Sequence, residues 1–257
     1  MHTPLALVKV GGAVFDDAAA YARLLDQFAR RPAPRILVHG GGGTATRLAE
    51  RLGLSPKLID GRRVTDAATL DLVVGTYAGR LNTRLVADLQ ARGCDALGLS
   101  GADGDVLRAT RRPVTAAGVD FGLVGDVRRV NAERIARLLD AGLALVFCAI
   151  THDGRGQLLN TNADTVAAAL AEALAPRYGV RLQYASGYAG VLADPADPAS
   201  TIPEISPATY ARLRAEGTVS AGMLPKLDAA FASLRAGVTD VSISGLDLDG
   251  AATRLRP

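Results

Sequence analysis

Short apolar runs alternate with amphipathic segments through the first part of the chain. The apolar runs at residues 5–10, 35–39, 95–100 and 143–150 have the length of buried strands. The amphipathic segments have helical spacing and cover residues 16–30, 44–52, 65–91 and 131–140. Strands that alternate with helices pair in parallel and are covered on both faces. We therefore predict an α/β fold, a three-layer αβα sandwich around a mostly parallel sheet of about eight strands.

The alternation continues beyond residue 151 without a linker. Further strands are predicted at residues 180–185, 190–192 and, as the last of the chain, 238–242. Further helices are predicted at 163–175, 207–216 and 223–236, and a surface loop rich in Pro and Ala at 194–206. The sequence GLVGDV at 122–127 is predicted as a hairpin element. We predict that residues 1–257 form a single domain whose halves, 1–150 and 151–257, share one sheet.

The composition argues against several classes of protein. Apolar residues make up 49% and charged residues 21% of the 257 residues, a balance typical of a folded chain with a sizeable core. The net charge is +3, the basic residues are scattered and there is no Trp. We therefore expect no nucleic-acid partner. No apolar run approaches the ~18 residues of a membrane span, so we expect no membrane association.

Cysteine usage and the first residues indicate a cellular location. Cys94 and Cys148 lie in apolar runs and belong to no CxxC pair. We therefore expect neither a disulfide framework nor a metal site built from protein ligands, and a reducing cytoplasm is the expected location. The opening MHTPLALVKVGG is interpreted as a first strand and not as a signal peptide.

Lysine is rare in this chain. Arginine supplies 26 of the 29 basic residues, and the lysines are Lys9, Lys57 and Lys226. A chain that uses Arg for ordinary surface charge can retain Lys where a compact ammonium is needed and the planar guanidinium would not fit. Chance explains any single lysine equally well. For Lys226, just inside a predicted helix, a solvated surface position is the alternative.

Two glycine-rich turns follow predicted strands, one at Gly11-Gly12 directly after Lys9-Val10 and one at residues 40–43 directly after His39. Successive glycines expose backbone N–H groups and build anion-binding turns at helix starts. Neither turn contains the GxxxxGK[ST] or GxGxxG motif, so a P-loop or a Rossmann dinucleotide site is poorly supported. Two ordinary tight turns are the alternative. We expect His39 to pack or to make a local hydrogen bond.

Two further segments combine polar residues at the start of a helix. Asn160 and Asn162 are both candidates for the N-cap of the helix that contains Asp164. If Asn162 is the cap, the side chain of Asn160 is free to bind a ligand. Arg62 and Arg63 precede the helix predicted at 65–91. Arg63 is able to bind a carboxylate with two hydrogen bonds, whereas Arg62 is explained equally well as a solvated side chain.

Six motifs occur in an order that resembles the N-acetylglutamate kinase branch of the amino-acid kinase family. The motifs are VKVGG, VHGGGG, DGRRVTD, GLVGDV, GQLLNTNAD and AGMLPKLDAA. Each is weak alone, but the ordered set spans nearly the whole chain. The lack of a helical extension before VKVGG is similar to the short, arginine-insensitive members. The loop with DP and IP before GMLPK resembles a branch in which some members accept N-succinyl substrates.

The resemblance implies a role for each matching residue. Lys9 and Lys226 correspond to lysines that contact the transferred phosphoryl group from the acceptor side and the nucleotide side, and Asp164 to the aspartate that orients both. The resemblance assigns the remaining residues to phosphate binding (Gly11, Gly12, Gly222), to the acceptor and γ-phosphate (Gly41, Gly42) and to the substrate (Arg63, Asn160). Lys57 receives no role.

The reaction implied by the resemblance is phosphorylation, by ATP with Mg²⁺, of the γ-carboxylate of N-acetyl-L-glutamate, or of N-succinyl-L-glutamate, in arginine biosynthesis. The carboxylate is already ionised near pH 7, so no general base is needed. Residues 1–150 are expected to bind the acylated amino acid and residues 151–257 to bind ATP. The helix predicted at 65–91 is expected to pair with its twin in a homodimer.

The sequence departs from the family at two places. Gly43 stands where a lysine is usual, and Ser186-Gly187-Tyr188-Ala189 replaces a segment that usually carries Ser-Asp or Thr-Asp at the nucleotide. Nucleotide preference is therefore left open. The alternatives are a related kinase acting on aminoadipate, a carbamate, UMP or aspartate, a non-catalytic sensor with this fold, and, least supported, a dehydrogenase.

Overall fold

The computed structural model describes residues 2–59, 61–194, 196–197, 199–219 and 223–257. The strands of the first half are β1 (Thr3–Val10), β2 (Arg35–His39), β3 (Leu58–Ile59), β4 (Arg62–Arg63), β5 (Ala96–Leu99), β6 (Leu107–Arg111), β7 (Gly125–Val130) and β8 (Ala144–Cys148). Those of the second half are β9 (Ile150–His152), β10 (Leu158–Asn160), β11 (Tyr178–Ala185), β12 (Glu204–Ile205), β13 (Asp240–Ser244) and β14 (Ala252–Leu255).

The helices lie between these strands. They are α1 (Ala18–Arg30), α2 (Gly42–Arg51), α3 (Ala67–Val74), α4 (Thr83–Gln90), α5 (Ala132–Asp140), α6 (Ala163–Leu174), α7 (Pro207–Ala215) and α8 (Leu224–Arg235). Two 3₁₀ helices cover Gly12–Asp16 and Asp103–Asp105. A π helix, Gly75–Asn82, joins α3 to α4 and is called the π segment below.

The main sheet has eight strands in the order β12-β14-β13-β11-β1-β2-β8-β5. All of its pairs are parallel except the antiparallel pair β13–β14. The strand β1 pairs with β2 on one side and with β11 on the other, so the two halves of the chain share one sheet, as predicted. The predicted three-layer α/β architecture is confirmed.

Alternate residues of the buried strands supply the two faces of this sheet. Leu5 and Leu7 of β1 face a core covered by α5, α6, α7 and α8. Val8 and Val10 of the same strand face a second core covered by α1 and α4. Because successive side chains of a strand point to opposite faces, a strand buried on both sides needs apolar residues at both sets of positions.

Two smaller sheets complete the fold. The strands β10, β9, β6 and β7 form a four-stranded sheet in that order, and β3 pairs with β4 as a short antiparallel hairpin. The segment predicted as a hairpin at 122–127 overlaps β7, which pairs antiparallel with β6. These elements carry Asn160 at the end of β10 and Arg63 at the end of β4.

The helix predicted at residues 65–91 is longer and more regular than the observed one. It begins at Ala67, because the Asp66 side chain accepts a hydrogen bond from the N–H of Thr69 and caps it. It then passes through the π segment before α4. The apolar spacing does not distinguish a π helix from an α helix over a few residues, because both allow intervals of three to five residues.

Three predictions in the second half were wrong. Residues 190–192 form no strand and contribute one isolated bridge, between Leu192 and Thr201. The loop predicted at 194–206 contains the edge strand β12. The strand predicted as the last, at 238–242, is followed by β14, whose four residues give too short an alternation to detect.

Among the described residues, no helix combines the length and the apolar character needed to cross a membrane.

Candidate active site

An ion pair between Lys9 and Asp164 lies at the carboxyl end of the central strand. Lys9 precedes the last residue of β1, and its Nζ is 2.7 Å from Oδ1 of Asp164. The two side chains are 11% and 28% exposed, so neither charge is fully solvated. Asp164 is in the first turn of α6, where the helix dipole favours a negative charge. The pairing predicted from the sequence is present.

The N-cap of α6 is formed by only one of the two asparagines that the sequence offered. The side chain of Asn162 accepts hydrogen bonds from the N–H groups of Asp164 and Thr165, so Asn162 is the cap. Asn160 is buried, and its Nδ2 donates to Oγ1 of Thr65 at 3.0 Å. The choice left open by the sequence is thereby resolved, and Asn160 lines the cavity described below.

Lys226 lies in the first turn of α8, which packs against α6. Burial lowers the pKa of Lys226, the nearby Asp164 opposes that shift, and the positive charge of Lys9 adds to it. The two lysines therefore lie within electrostatic range of the same carboxylate. The interpretation of Lys226 as a solvated surface lysine does not fit this partly buried position.

Three helix starts meet at one cavity. Gly12 begins the 3₁₀ helix, Gly42 begins α2 and Ala163 begins α6, and all three residues line the cavity. The first N–H groups of a helix have no partner within it and carry its positive dipole end, so such a junction favours an anion.

The glycines of the two turns differ in whether their backbone N–H groups remain available to a ligand. A Cβ atom on Gly12 would lie 3.5 Å from the backbone nitrogen of Gly42, so the turns are in contact. The N–H of Gly11, however, donates to the carbonyl of Ala185 at 3.3 Å. Gly11 therefore joins β1 to the end of β11 in this structure, and Gly12 and Gly42 are the glycines whose positions suit phosphate binding.

Gly41 must be glycine for a packing reason. A Cβ atom there would lie 2.4 Å from Cδ1 of Leu81 and 2.9 Å from the ring of Tyr77. Both neighbours belong to the π segment. The second glycine turn is thus held directly against that helix.

Arg63 has one nitrogen without a partner. Its Nη2 donates to the carbonyl of Gly42 at 3.0 Å and to Oγ1 of Thr46 at 2.7 Å. Its Nη1 is buried and donates to no acceptor in the part of the chain that the structure describes. A buried guanidinium N–H left unpaired is costly unless a ligand completes it. The side chain lines the cavity, as expected for a group that binds a carboxylate.

The cavity has a volume of about 230 Å³ and carries more positive than negative charge. Among the described residues, Lys9, Arg62, Arg63 and Arg112 line it, against one carboxylate, that of Asp164. Arg112 was not predicted from the sequence, because the pairing of β6 with β7 is what brings this side chain to the cavity. Arg62, for which a solvated position was equally acceptable, also lies along the wall.

A second, smaller cavity of about 120 Å³ lies at the segment that departs from the family. It is lined by Tyr188, Gly190, Val191, Leu192, Thr218, Val219 and Met223. Its wall is mainly apolar, and Tyr188 is 60% exposed. This surface is suited to a flat apolar group.

Gly222 lies outside the described residues, so its predicted contact with phosphate stays a prediction.

In the described ranges, no group of three or more His, Cys, Asp or Glu side chains is arranged to hold a metal ion. At Gly43, where the family usually has a lysine, Nη1 of Arg47 lies 3.4 Å from the position of a Cβ atom.

The buried imidazole of His39 contacts the second glycine turn. Its Nδ1 is 2.8 Å from the carbonyl oxygen of Gly40, and its Nε2 is 3.0 Å from Nδ2 of Asn82. Burial lowers the pKa of His39 to about 4, and the hydrogen bond to Gly40 opposes this only in part. The local hydrogen bond expected for His39 is confirmed.

Comparison with known proteins agrees with this geometry. The sequence pattern of the amino acid kinase family matches residues 4–244. The chain therefore belongs to the amino acid kinase family. The chain is 46% identical to the acetylglutamate kinase of Bacteroides thetaiotaomicron, over 95% of this chain and 94% of that protein. It is 44% identical to the acetylglutamate kinase of Bacteroides fragilis, strain ATCC 25285, over 100% and 98%. These identities place it in the acetylglutamate kinase branch.

A solved structure supports the fold assignment. The N-acetylglutamate synthase of Neisseria gonorrhoeae superposes with a TM-score of 0.80 at 23% identity, over 98% of this chain and 59% of that one. At this identity the likeness shows the shared fold.

The neutral state of His39 predicts a pH dependence of stability. In the unfolded chain a histidine binds a proton below pH ~6.5, whereas folded His39 resists protonation until about pH 4. Its contribution is therefore complete above pH ~6.5 and is lost as the pH falls toward 4. Between pH 7.5 and 5, the difference in unfolding free energy between the parent and His39→Gln should shrink by about 2 kcal/mol.

Urea unfolding of both proteins at the two pH values measures this difference. All other titrating groups are common to the two proteins and cancel. A difference that stays constant with pH would show that folded His39 titrates near pH ~6.5, as it does in the unfolded chain.

Proposed function

We propose that this protein transfers the γ-phosphoryl group of ATP to the γ-carboxylate of N-acetyl-L-glutamate, a step of arginine biosynthesis. The observation that carries the proposal is that the Lys9–Asp164 pair lines a cationic cavity together with Arg63, one nitrogen of which has no hydrogen-bond partner among the described residues. A substrate with two carboxylates matches such a site, since one binds to the guanidinium while the other meets the lysine.

The acylated amino acid is assigned to residues 1–150, with Asn160 completing its site. Arg63 would bind the α-carboxylate through Nη1, and Asn160 and the turn at Gly41 and Gly42 would contact the rest of the ligand. The support is that all four residues line the same cavity. The γ-carboxylate would then face Lys9 and the start of α2.

ATP is assigned mainly to residues 151–257. Lys226 would contact the phosphates from the nucleotide side, Gly12 and Gly222 would contribute backbone N–H groups, and the apolar cavity at Tyr188 would receive the base. In this proposal Gly11 shapes the turn. The tyrosine ring offers stacking in place of the carboxylate that relatives usually carry, so base preference is a property to measure.

The reaction needs no proton transfer. The γ-carboxylate is ionised near pH 7, since a glutamate carboxyl titrates near pH 4.3. One of its oxygens attacks the γ-phosphorus as the bond from that phosphorus to the β,γ-bridging oxygen breaks. The bridging oxygen leaves on ADP with the electron pair. Lys9 and Lys226 neutralise charge on opposite sides of the transferred group, and Asp164 keeps both ammonium groups positioned.

Mg²⁺ belongs to the proposal as an ion carried by the nucleotide. When bound, it would withdraw negative charge from the transferred phosphoryl group and from the leaving ADP. The one carboxylate that lines the cavity among the described residues is engaged by Lys9, so this chain suits an ion held mostly by phosphates and water. The protein residues hold the phosphates rather than the ion.

N-Succinyl-L-glutamate is the second candidate substrate. Its acyl group carries a third carboxylate, and Arg62 and Arg112 add two guanidinium groups to the wall beside Arg63. Arg112 already pairs with Asp126, so it offers only part of its hydrogen-bonding capacity. The acyl group therefore has to be decided by assay.

A substrate panel tests the proposal. ADP release with Mg-ATP would be measured for N-acetyl-L-glutamate, N-succinyl-L-glutamate, free glutamate and α-aminoadipate, with hydroxylamine to trap the acyl phosphate. We expect a hydroxamate with an N-acyl glutamate and none with free glutamate. A hydroxamate with α-aminoadipate alone would move the assignment to an aminoadipate kinase. No product from folded protein would favour a sensor that retains the fold.

Replacement of either proposed catalytic lysine should reduce turnover without preventing binding. We expect Lys9→Met and Lys226→Met each to lower kcat by at least ~100-fold, the scale of one lost preorganised charge. The exposed Lys57 is the matched control, and Lys57→Met should leave kcat unchanged. Arg63→Lys should mainly raise KM for the amino acid. Near-normal kcat in either lysine variant would refute its role.

We also propose a cytoplasmic homodimer. The two cysteines are free and buried, which is typical of a protein in a reducing compartment. The helix formed by α3, the π segment and α4 would pair with its twin. Light scattering at micromolar concentration should give the mass of two chains, and the mass of one chain would remove the dimer from the proposal.

A further inference from the structure

The π segment forms the rear wall of the second glycine turn. Tyr77 and Leu81 contact the face of Gly41 so closely that a Cβ atom on this glycine would overlap both. Asn82, the last residue of the segment, is hydrogen-bonded to His39, which immediately precedes the turn. One short helix therefore contacts the turn through Tyr77 and Leu81 and the residue before the turn through Asn82.

The hydrogen bonds fix the protonation of His39 without ambiguity. Nδ2 of Asn82 lies 2.9 Å from the carbonyl oxygen of Val146, which can only accept, so this atom is the amide nitrogen. The same nitrogen donates its second hydrogen to Nε2 of His39. Nε2 must then be unprotonated, and Nδ1 carries the hydrogen that it donates to the carbonyl of Gly40. The ring is the neutral Nδ1–H tautomer.

We propose that Asn82 and His39 are positioning residues for phosphoryl transfer, and that the π segment is the element that places Asn82. This inference rests on the proposed function. Asn82 selects the tautomer of His39, and His39 holds the carbonyl of Gly40. That contact orients the following peptide groups, including those of Gly41 and Gly42, which line the cavity. Neither Asn82 nor His39 is among the residues that line the cavity.

The π geometry explains how one helix supplies all these contacts. Hydrogen bonds of a π helix run from residue i to i+5, which brings residues five apart to the same side. Tyr77 and Asn82 are five apart, and Leu81 adjoins Asn82. In an α helix, Tyr77 and Leu81 would share a face, and Asn82 would be turned away from it.

Gly98 of β5 provides the room for Asn82. A Cβ atom on Gly98 would lie 2.0 Å from Oδ1 of Asn82 and 3.1 Å from Cγ2 of Val86. Gly98→Ala must therefore displace the amide while leaving every residue at the cavity unchanged.

Four variants test the chain from Asn82 to the glycine turn. Asn82→Asp keeps the shape but replaces the donor, so His39 can satisfy it only by carrying a hydrogen on Nε2. Gly98→Ala displaces Asn82. His39→Gln retains a polar group near Nε2 but loses the donor to Gly40, whereas His39→Asn retains a donor near the position of Nδ1. Gln27→Leu, which removes an equally buried amide that bonds to the Asp247–Leu248 turn, is the control for general destabilisation.

The expected result is a split between kcat and KM. Asn82→Asp, Gly98→Ala and His39→Gln should lower kcat by about 10- to 100-fold with KM for the N-acyl glutamate within about threefold, because a misplaced turn affects transfer more than binding. His39→Asn should retain kcat within about threefold of the parent. Gln27→Leu should lower the Tm and leave kcat unchanged. Unaltered kcat in Asn82→Asp and Gly98→Ala would overturn the proposal, as would a kcat loss in His39→Asn equal to that in His39→Gln.

A measurement without activity separates this inference from the proposed function. The chain has only three histidines, so ¹⁵N spectra of the imidazole nitrogens are readily assigned. We expect the parent to show the Nδ1–H tautomer of His39 at pH 7, and Asn82→Asp to show hydrogen on Nε2. An Nε2–H tautomer in the parent would overturn the inference whatever the enzyme assay shows. An inactive parent with the Nδ1–H tautomer would count against the proposed function alone.

Discussion

The structure depends on holding two positive charges, those of Lys9 and Lys226, near each other at the carboxyl edge of a buried sheet. Lys9 and Lys226 repel each other, and each loses hydration where the chain places it. A nearby opposite charge compensates for this loss and favours the charged form of an ammonium group. Asp164 supplies that charge, and it can do so because the Asn162 cap starts α6 directly beside the end of β1.

The order of strands follows from the same requirement. Parallel strands bring their carboxyl ends to one edge, where the turns after β1 and β2 and the start of α6 converge. Glycine at position 41 allows the second turn to lie against the π segment, and the first turn contacts the second at Gly12. The smaller sheets then bring in Arg63 and Asn160 from the side. A cationic cavity results without a dedicated binding domain.

The sheet and the charged centre could be predicted from the sequence, because each corresponds to a pattern of a few neighbouring residues. Lys9 ended an apolar run, preceded two glycines and was a lysine in an arginine-rich chain. Asp164 followed an asparagine-rich helix start. The strand β14 and the hairpin β3–β4 gave no comparable signal, because runs of two to four residues are too short to show a period.

Other parts of the site depended on tertiary structure. Arg112 reaches the cavity through the pairing of β6 with β7, and a π helix has the same apolar spacing as an α helix over two turns. The role of Asn82 requires three partners that are distant in sequence, on β2, β8 and β5. Such residues can be located only when the strands that surround them are already placed.

The central position of β1 has a consequence for how the chain is made. One side of β1 pairs with β2, which follows it closely, but its other side pairs with β11, residues 178–185. During vectorial synthesis this second side, together with the ammonium of Lys9, has no partner until the ribosome has released the later strand and α6. In the nascent first half, the backbone N–H and C=O groups along this side of β1 are therefore unpaired. An exposed strand edge of this kind can pair with other chains, and chaperones bind such species.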